Sequence, residues 1–193
     1  MEEEEVEGEV IEENAELDAE TQARRQLALA QIRQYSDPVL RMPARDVTSF
    51  DADLQRLATR MRQLMHDARG VGLAATQVGV LQRLFVFHAA EDEGITVIVN
   101  PEITERTEET EVADEGCLSL QGVLVPVERA IAVTIEGQDV RGEPLRLELD
   151  EMDARVVQHE LDHLDGVLML ERTSDDARRE ALATLRRSIT PTR

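Results

Sequence analysis

Cysteine is almost absent from this sequence, since Cys117 is its only thiol. A single cysteine excludes an internal disulfide and is typical of proteins from a reducing compartment. No apolar run approaches the roughly 20 residues that a membrane-spanning helix needs. The acidic N-terminus also lacks the features of a secretion signal or a transit peptide. These absences predict a cytoplasmic protein that does not enter a membrane.

Aromatic residues are scarce as well. Tryptophan is absent and aromatic residues make up only 2% of the 193 residues, whereas hydrophobic residues as a whole make up 41%. The core is therefore expected to consist of Leu, Val, Ile, Ala and Met side chains. The length suits a single domain with enough residues to bury a core.

Positive charge is in the minority, and lysine is missing altogether. The 41 acidic residues outnumber the 21 basic ones, which gives a formal net charge of −20. Because phosphate attraction supplies much of the affinity for nucleic acids, so acidic a chain is not expected to bind them directly. Residues 1–27 combine like charge with few large apolar side chains and are predicted to form a disordered tail. A folded domain over 28–173 and a C-terminal helix and tail over 174–193 complete the expected organisation.

The apolar pattern predicts helices at both ends of the folded part and strands between them. A helix is expected from Thr48 to Ala68, because Phe50, Leu54, Leu57, Met61, Leu64 and Met65 repeat at spacings of three and four. Strands are expected at residues 83–89, 95–103, 130–138 and 144–150. This arrangement favours an α+β fold over a repeating βαβ pattern.

The segment QHELDH, Gln158–His163, has two histidines four residues apart with a glutamate after the first. Asp150 and Gly166 are suited to begin and end a helix around it. A helical wheel places Met152, Val156, His159 and His163 on one inward face, and on the opposite, outer face Glu151, Gln158, Asp162 and Asp165. Such a pair of inward histidines indicates a shared metal ion, although two separately hydrogen-bonded core histidines would give the same pattern. Asp162 is expected to be solvated or paired with an arginine.

Two histidines need a third ligand, and the sequence offers two kinds. Glu171 or Glu180 would supply a carboxylate, as in a metallopeptidase of the HExxH class. Cys117 would supply a thiolate and leave one position open for water. Taken alone, Cys117 is equally well explained as a small buried apolar residue.

Three motifs resemble those of the peptide deformylase family: GVGLAATQ (Gly70–Gln77), EGCLS (Glu115–Ser119) and QHELDH (Gln158–His163). They occur in this order within a likeness that runs from about residue 32 to 172. The resemblance implies an α+β fold in which mostly antiparallel sheets surround a central metal-binding HExxH helix. It also implies a hydrolase that removes the N-formyl group from the N-terminal methionine of newly made polypeptides and releases formate.

The resemblance implies a role for each motif residue. The metal ligands are Cys117, His159 and His163, and the ion is ferrous iron, with zinc, nickel or cobalt able to replace it. Glu160 is the general base and acid, while the Gln77 side chain and the Leu118 backbone N–H stabilise the oxyanion. Gly70, Val71 and Gly72 bind the substrate peptide. The partners implied are N-formylmethionyl nascent peptides and, through the C-terminal helix, the ribosome.

The chain departs from the family pattern after EGCLS. Gln121 stands where relatives often have proline, in a segment expected to form a short loop, which affects substrate preference rather than metal chemistry. Arg129 is interpreted either as a substrate contact or as part of a surface salt bridge. An HExxH peptidase and a catalytically silent binding module remain the alternative functions.

Overall fold

The computed structural model describes residues 19–88 and 94–189. Within these ranges the helices are α1 (Ala19–Leu29), α2 (Ala52–Ala68), α3 (Glu151–Leu164) and α4 (Asp175–Ile189). The strands are β1 (Gly72–Ala74), β2 (Leu84–His88), β3 (Ile95–Arg106), β4 (Thr110–Gly116), β5 (Leu124–Ala130), β6 (Ala132–Gln138) and β7 (Pro144–Asp150). None of the described helices is both long enough and apolar enough to cross a bilayer.

The strands form two antiparallel sheets. A five-stranded sheet has the order β1-β2-β3-β6-β7, and β4 and β5 form a separate two-stranded sheet. The predicted α+β fold is confirmed, and the four strand predictions correspond to β2, β3, β6 and β7. Strand β1 ends the larger sheet, so it has a free edge on the side away from β2.

Helix α3, which carries the HExxH motif, lies between the two sheets. Every residue from Ala154 to Leu164 is buried. Its apolar side chains pack with those of β2, β3 and β6 in one core cluster, which includes Phe85, Phe87 and Ile98. The prediction that Gln158 lies on the outer face is wrong. Its side chain is buried against β5, where it accepts from the Ala130 N–H and donates to the Ala130 carbonyl.

Helix α2 begins later than the apolar pattern predicts. The Asp51 carboxylate accepts hydrogen bonds from the backbone N–H groups of Asp53 and Leu54, so the helix begins at Ala52 rather than Thr48. Such a cap satisfies N–H groups that have no partner within the helix. The helix ends at Ala68 and is followed by Arg69, whose backbone is left-handed with φ of 58°.

Helix α1 corrects the predicted extent of the disordered tail. Residues 19–27 belong to this helix, whereas residues 1–18 lie outside the described residues. The helix is held because Ala28 and Leu29 are buried in a cluster with the apolar face of α2. Charge composition alone missed this contact, since tertiary packing supplies most of the stability of a short helix.

The segment after EGCLS is mostly strand β5 rather than a short loop. Val125 and Val127 alternate with exposed neighbours and enter a third core cluster, where they meet Ala181 and Leu185 of α4. The turn before β5 contains Gly122 with φ of 75°, a conformation that favours glycine. The predicted C-terminal helix is present, and Ser174 accepts a hydrogen bond from the Ala177 N–H at its start.

Candidate active site

The two histidines of α3 meet the only cysteine where β4 ends. The rings of His159 and His163 are one helical turn apart, with centroids separated by 4.9 Å. The Cys117 Sγ lies 3.2 Å from the His163 Nε2. One ligand atom from each of the three residues can be chosen so that all lie within 4.8 Å of one another. The described structure therefore brings together the three residues that the sequence motifs single out.

These residues suit a tetrahedral divalent ion with one open position. Around such an ion, sulfur and imidazole nitrogen atoms are separated by about 3.3–3.6 Å. Among the described residues, no other group of His, Cys, Asp and Glu meets the same distance criterion. The alternative ligand Glu171 instead pairs with Arg41 and accepts the Leu168 N–H.

The orientation of His159 is fixed by Glu115. The His159 Nδ1 donates to the Glu115 Oε2 at 2.9 Å, which leaves Nε2 as its candidate ligand atom. A carboxylate in this position sets the tautomer and the orientation of a metal-binding histidine. Burial raises the pKa of Glu115, but hydrogen bonds from His159 and Arg129 outweigh it and lower the value to about 2. Glu115 is thus a carboxylate that holds the ring in place.

The pKa values of the two histidines are shifted in opposite directions. Burial and the neighbouring His159 charge lower the pKa of His163 well below its usual value. Burial also lowers that of His159, but hydrogen bonds to Cys117 and Glu115 outweigh it and raise the pKa well above the usual value.

Buried arginines connect Glu115 to the rest of the fold. Arg129 donates to both Glu115 oxygens at 2.9 and 3.0 Å and to Asp162 at 2.6 Å. Arg155 donates to Glu115 at 3.0 Å, and Arg172 donates to Asp162 at 2.7 and 3.1 Å. Asp162 is paired with arginine, which was one of the two environments predicted for it. Arg129 forms salt bridges, as one of its two interpretations predicted, but they are buried rather than at the surface, and its side chain does not line the cleft.

Glu160 lies beside the cluster with one oxygen unpaired. Its side chain is buried, and Oε2 has no hydrogen-bond partner among the described residues. A side chain at Gly72 would collide with this carboxylate, since a Cβ there would lie 2.8 Å from the Glu160 Cδ and closer still to Oε1. Burial raises the pKa of Glu160 to about 7. Such a value suits a group that accepts and returns protons near neutral pH.

Gln77 reaches the same point from the 3-10 turn Ala75–Val78. Its Oε1 accepts the Ala74 N–H at 2.8 Å, which fixes the amide so that Nε2 points to the cluster. Nε2 lies 3.1 Å from the Ser119 Oγ and 3.6 Å from the Cys117 Sγ. The amide is thus an oriented hydrogen-bond donor at the metal-compatible site.

These groups open into one cleft of about 550 Å³. We call it the active-site cleft; one wall contains Gly70–Gly72, the other contains Asp114–Leu118, and Glu160 and His159 line it as well. Val71 and Met152 also line the cleft and are exposed, with relative exposures of 58% and 63%. The prediction that Met152 faces inward is therefore wrong, because the helix has only just begun there and the sheets do not cover it.

Fold and site together define a class of protein. An HExxH helix lies between antiparallel sheets, and its two histidines are joined by a cysteine from a neighbouring strand end. A carboxylate with a raised pKa and an oriented amide lie beside this cluster. These are the components of a metal-dependent hydrolase.

Comparisons with known proteins identify the family. The polypeptide deformylase family model matches residues 29–179. The peptide deformylase of Thermotoga neapolitana is 48% identical over 141 residues, which cover 73% of this chain and 85% of that protein. Peptide deformylase 1 of Corynebacterium glutamicum is 42% identical over 164 residues, which cover 84% and 97%.

Solved structures agree with this result. The crystal structure of peptide deformylase from Thermotoga maritima matches with a TM-score of 0.72 at 48% identity, covering 74% of this chain and 96% of that one. A peptide deformylase from Legionella pneumophila matches with a TM-score of 0.77 at 37% identity, covering 83% and 98%. The chain belongs to the polypeptide deformylase family. This family consists of metal-dependent enzymes that remove the formyl group from nascent peptides.

Proposed function

We propose that Cys117, His159 and His163 hold the divalent ion on which deformylation depends, and that this ion is iron(II). The proposal is supported by the distances between the three ligand atoms and by the carboxylate that orients His159. One thiolate and two imidazoles also accept zinc, nickel or cobalt. When bound, such an ion polarises a carbonyl and makes water more acidic.

Glu160 is the general base and acid of the proposed reaction. It accepts a proton from the attacking water and returns it to the amine nitrogen as the bond to the formyl carbon breaks. Its pKa of about 7 and its unpaired Oε2 support both transfers. The products are formate and a free N-terminal methionine.

Two donors of this chain stabilise the negative charge that develops on the formyl oxygen. They are the Gln77 amide, which Ala74 and Ser119 hold in position, and the backbone N–H of Leu118 directly after Cys117. Loss of one such donor typically costs about 3–4 kcal/mol, or about 100- to 1000-fold in rate.

The substrate peptide lies along the wall formed by Gly70, Val71 and Gly72. This segment leads into the free edge of β1, and an extended peptide can add to such an edge as a further strand. The methionine side chain of the substrate is placed between Val71, Met152 and Val156, all of which line the active-site cleft.

One observation carries these assignments: Glu160 lies in the same cleft as the cysteine–histidine cluster and has an unpaired oxygen. Anaerobically purified protein is expected to release formate from formyl-Met-Ala and to contain about one equivalent of iron. Glu160→Gln is expected to retain the metal and lose about 100- to 10,000-fold in kcat.

A fully active Glu160→Gln variant would contradict the role of Glu160. Cleavage of internal peptide bonds without formate release would instead favour the peptidase alternative. Measuring formate and new amine termini in the same reaction distinguishes the two, because deformylation releases them in equal amounts.

We also propose that the enzyme acts in the cytoplasm on chains emerging from the ribosome, and that α4 binds the ribosome. Support comes from Arg186 and Arg187, which lie in the last turn of this helix. The same arginines also interact favourably with the helix dipole, so a variant without them must be compared with one that lacks exposed arginines elsewhere.

A further inference from the structure

Two arginines at the outer part of the active-site cleft have no role in the proposed reaction. Arg25 of α1 and Arg69 at the end of α2 both line this cleft. Arg25 is half-buried and Arg69 is exposed. Arg25 also lies before residues 29–179, the part of the chain that matches the family model.

The fold holds both side chains at this rim without neutralising them. The Arg25 Nε donates to the Ala68 carbonyl at 3.3 Å, which ties α1 to the last residue of α2. Arg69 follows directly and has the left-handed backbone that ends α2. Within the described part of the chain, neither arginine has a carboxylate within salt-bridge distance, whereas their neighbour Arg24 pairs with Glu20.

The order of residues along the wall shows which end lies near the reacting atoms. Gly72 lies against Glu160, and Gly70 lies against Leu118, because a Cβ at either glycine would collide with that side chain. Arg69 comes next, one residue further from the reaction. Because the backbone turns at Arg69 and becomes a strand only at Gly72, Arg69 borders the outer end of the wall, beyond the residues proposed to bind the first part of the substrate.

We propose that Arg25 and Arg69 form a cationic rim that selects formylated peptides with acidic side chains beyond their first two residues. This inference rests on the proposed function, since it places the formyl group at Glu160 and the peptide along Gly70–Gly72. The opposite wall carries Asp114. An acidic side chain is therefore favoured on the side of the peptide that faces the arginines. It is disfavoured on the side that faces Asp114.

Three amidated peptides test the proposal without a terminal carboxylate: formyl-Met-Ala followed by Asp-Asp, Asn-Asn or Lys-Lys. Solvent-exposed ion pairs contribute little, so the expected gain in kcat/KM for Asp-Asp over Asn-Asn is about two- to fivefold, with Lys-Lys lower by a similar factor. The gain is expected in KM, because the rim does not touch the reacting atoms. The assay is run at about 0.15 M salt, because charges more than about 8 Å away are then largely screened and contribute little to the preference.

In Arg25→Gln/Arg69→Gln the ratio of the Asp-Asp rate to the Lys-Lys rate should fall towards about one. The variant Arg25→Lys keeps the positive charge and should retain much of the wild-type ratio. The matched control Arg56→Gln/Arg62→Gln removes two exposed arginines outside the cleft and should keep the wild-type ratio. Because the ratio is measured on one enzyme sample, a partly unfolded fraction cancels from it.

An unchanged ratio in the rim variant, or no preference in the wild type, would overturn the inference. An equal loss in the control variant would also overturn it, since the preference would then come from net charge. The absence of formate from all three peptides would instead contradict the proposed function itself. The two failures are therefore distinguishable in the same assay.

Discussion

At the scale of single residues, Gly72 shows how closely the peptide wall approaches the catalytic carboxylate. A methyl group there would overlap Glu160, so Gly72→Ala must shift either the carboxylate or β1. A displacement of about 1 Å in an active site can cost about 100-fold in rate. We expect a loss of this order in kcat/KM for formyl-Met-Ala, with the metal content unchanged.

Gly94→Ala is the matched control, because a Cβ at Gly94 would have no neighbour within 4 Å among the described residues. This variant should keep wild-type activity, and both variants should unfold near the wild-type temperature. If Gly72→Ala were as active as Gly94→Ala, Glu160 could not be the proton-transfer group in the position described.

The motif residues could be predicted from the sequence, but their supports could not. His159, Glu160 and His163 are identifiable from the HExxH spacing, and Cys117 from the resemblance of its motif to that of the peptide deformylase family. The role of Glu115 depends on β4 facing α3, which local sequence does not reveal. The general rule that a metal-binding histidine needs an oxygen partner was the available signal, since this glutamate stands two residues before the cysteine.

Arg129 is a second residue whose environment could not be predicted from the sequence. Arginine is rarely buried unless it is paired, so a surface position was the reasonable expectation. The side chain is buried because Glu115 and Asp162 lie on either side of it, one from β4 and one from α3. Only the tertiary arrangement brings these two carboxylates together.

At the scale of elements, α1 depends on packing rather than on its own helical tendency. Leu29 is buried in the cluster that α1 shares with α2, with 3% of its surface exposed. Leu29→Ala is expected to lower the free energy of unfolding by about 2–5 kcal/mol, as other buried leucines do. Thermal unfolding should show a decrease of about 2–4 °C per kcal/mol for a domain of this size.

Leu27→Ala provides the comparison within the same helix, because Leu27 is 71% exposed. A change within about 0.5 kcal/mol is expected there. Equal effects of the two substitutions would mean that α1 is not docked on α2 through Leu29. The support for Arg25 at the cleft would then be lost as well.

Elements with one buried face were predictable, and those covered from several sides were not. Alternating or periodic apolar residues identified α2 and four strands. The helical wheel gave a wrong result for the polar face of α3, because β5 covers that face. Gln158 and Asp162 have hydrogen-bond partners there. Strand β4 was missed because its sequence, TEVADEG, has a single buried side chain, Glu115.

At the scale of the whole molecule, the arginines divide into buried ones that pair with carboxylates and exposed ones that can contact partners. The net charge is −20, yet Arg129 and Arg155 are buried as partners of Glu115. Breaking such a buried pair typically costs about 3–5 kcal/mol, since it leaves an uncompensated charge. These arginines therefore contribute to the site and not to external binding, which leaves the surface arginines to attract anionic partners.

The proposal that α4 binds ribosomes can be tested through the two arginines in its last turn. Removing residues after Arg172 would be a poor test, because Ala181 and Leu185 of α4 are buried against β5. Arg186→Gln/Arg187→Gln retains that packing. If both arginines contact RNA phosphates, this variant should co-sediment more weakly with ribosomes and lower the slope of log affinity against log salt by about two.

Arg56→Gln/Arg62→Gln makes the same change in net charge on exposed positions of α2. Because general repulsion between an acidic protein and RNA rises equally in both double variants, only a specific surface on α4 makes them differ. Equal co-sedimentation of the two variants would remove α4 as the ribosome-binding element. Deformylation of formyl-Met-Ala should stay at the wild-type rate in both, since all four arginines lie outside the active-site cleft.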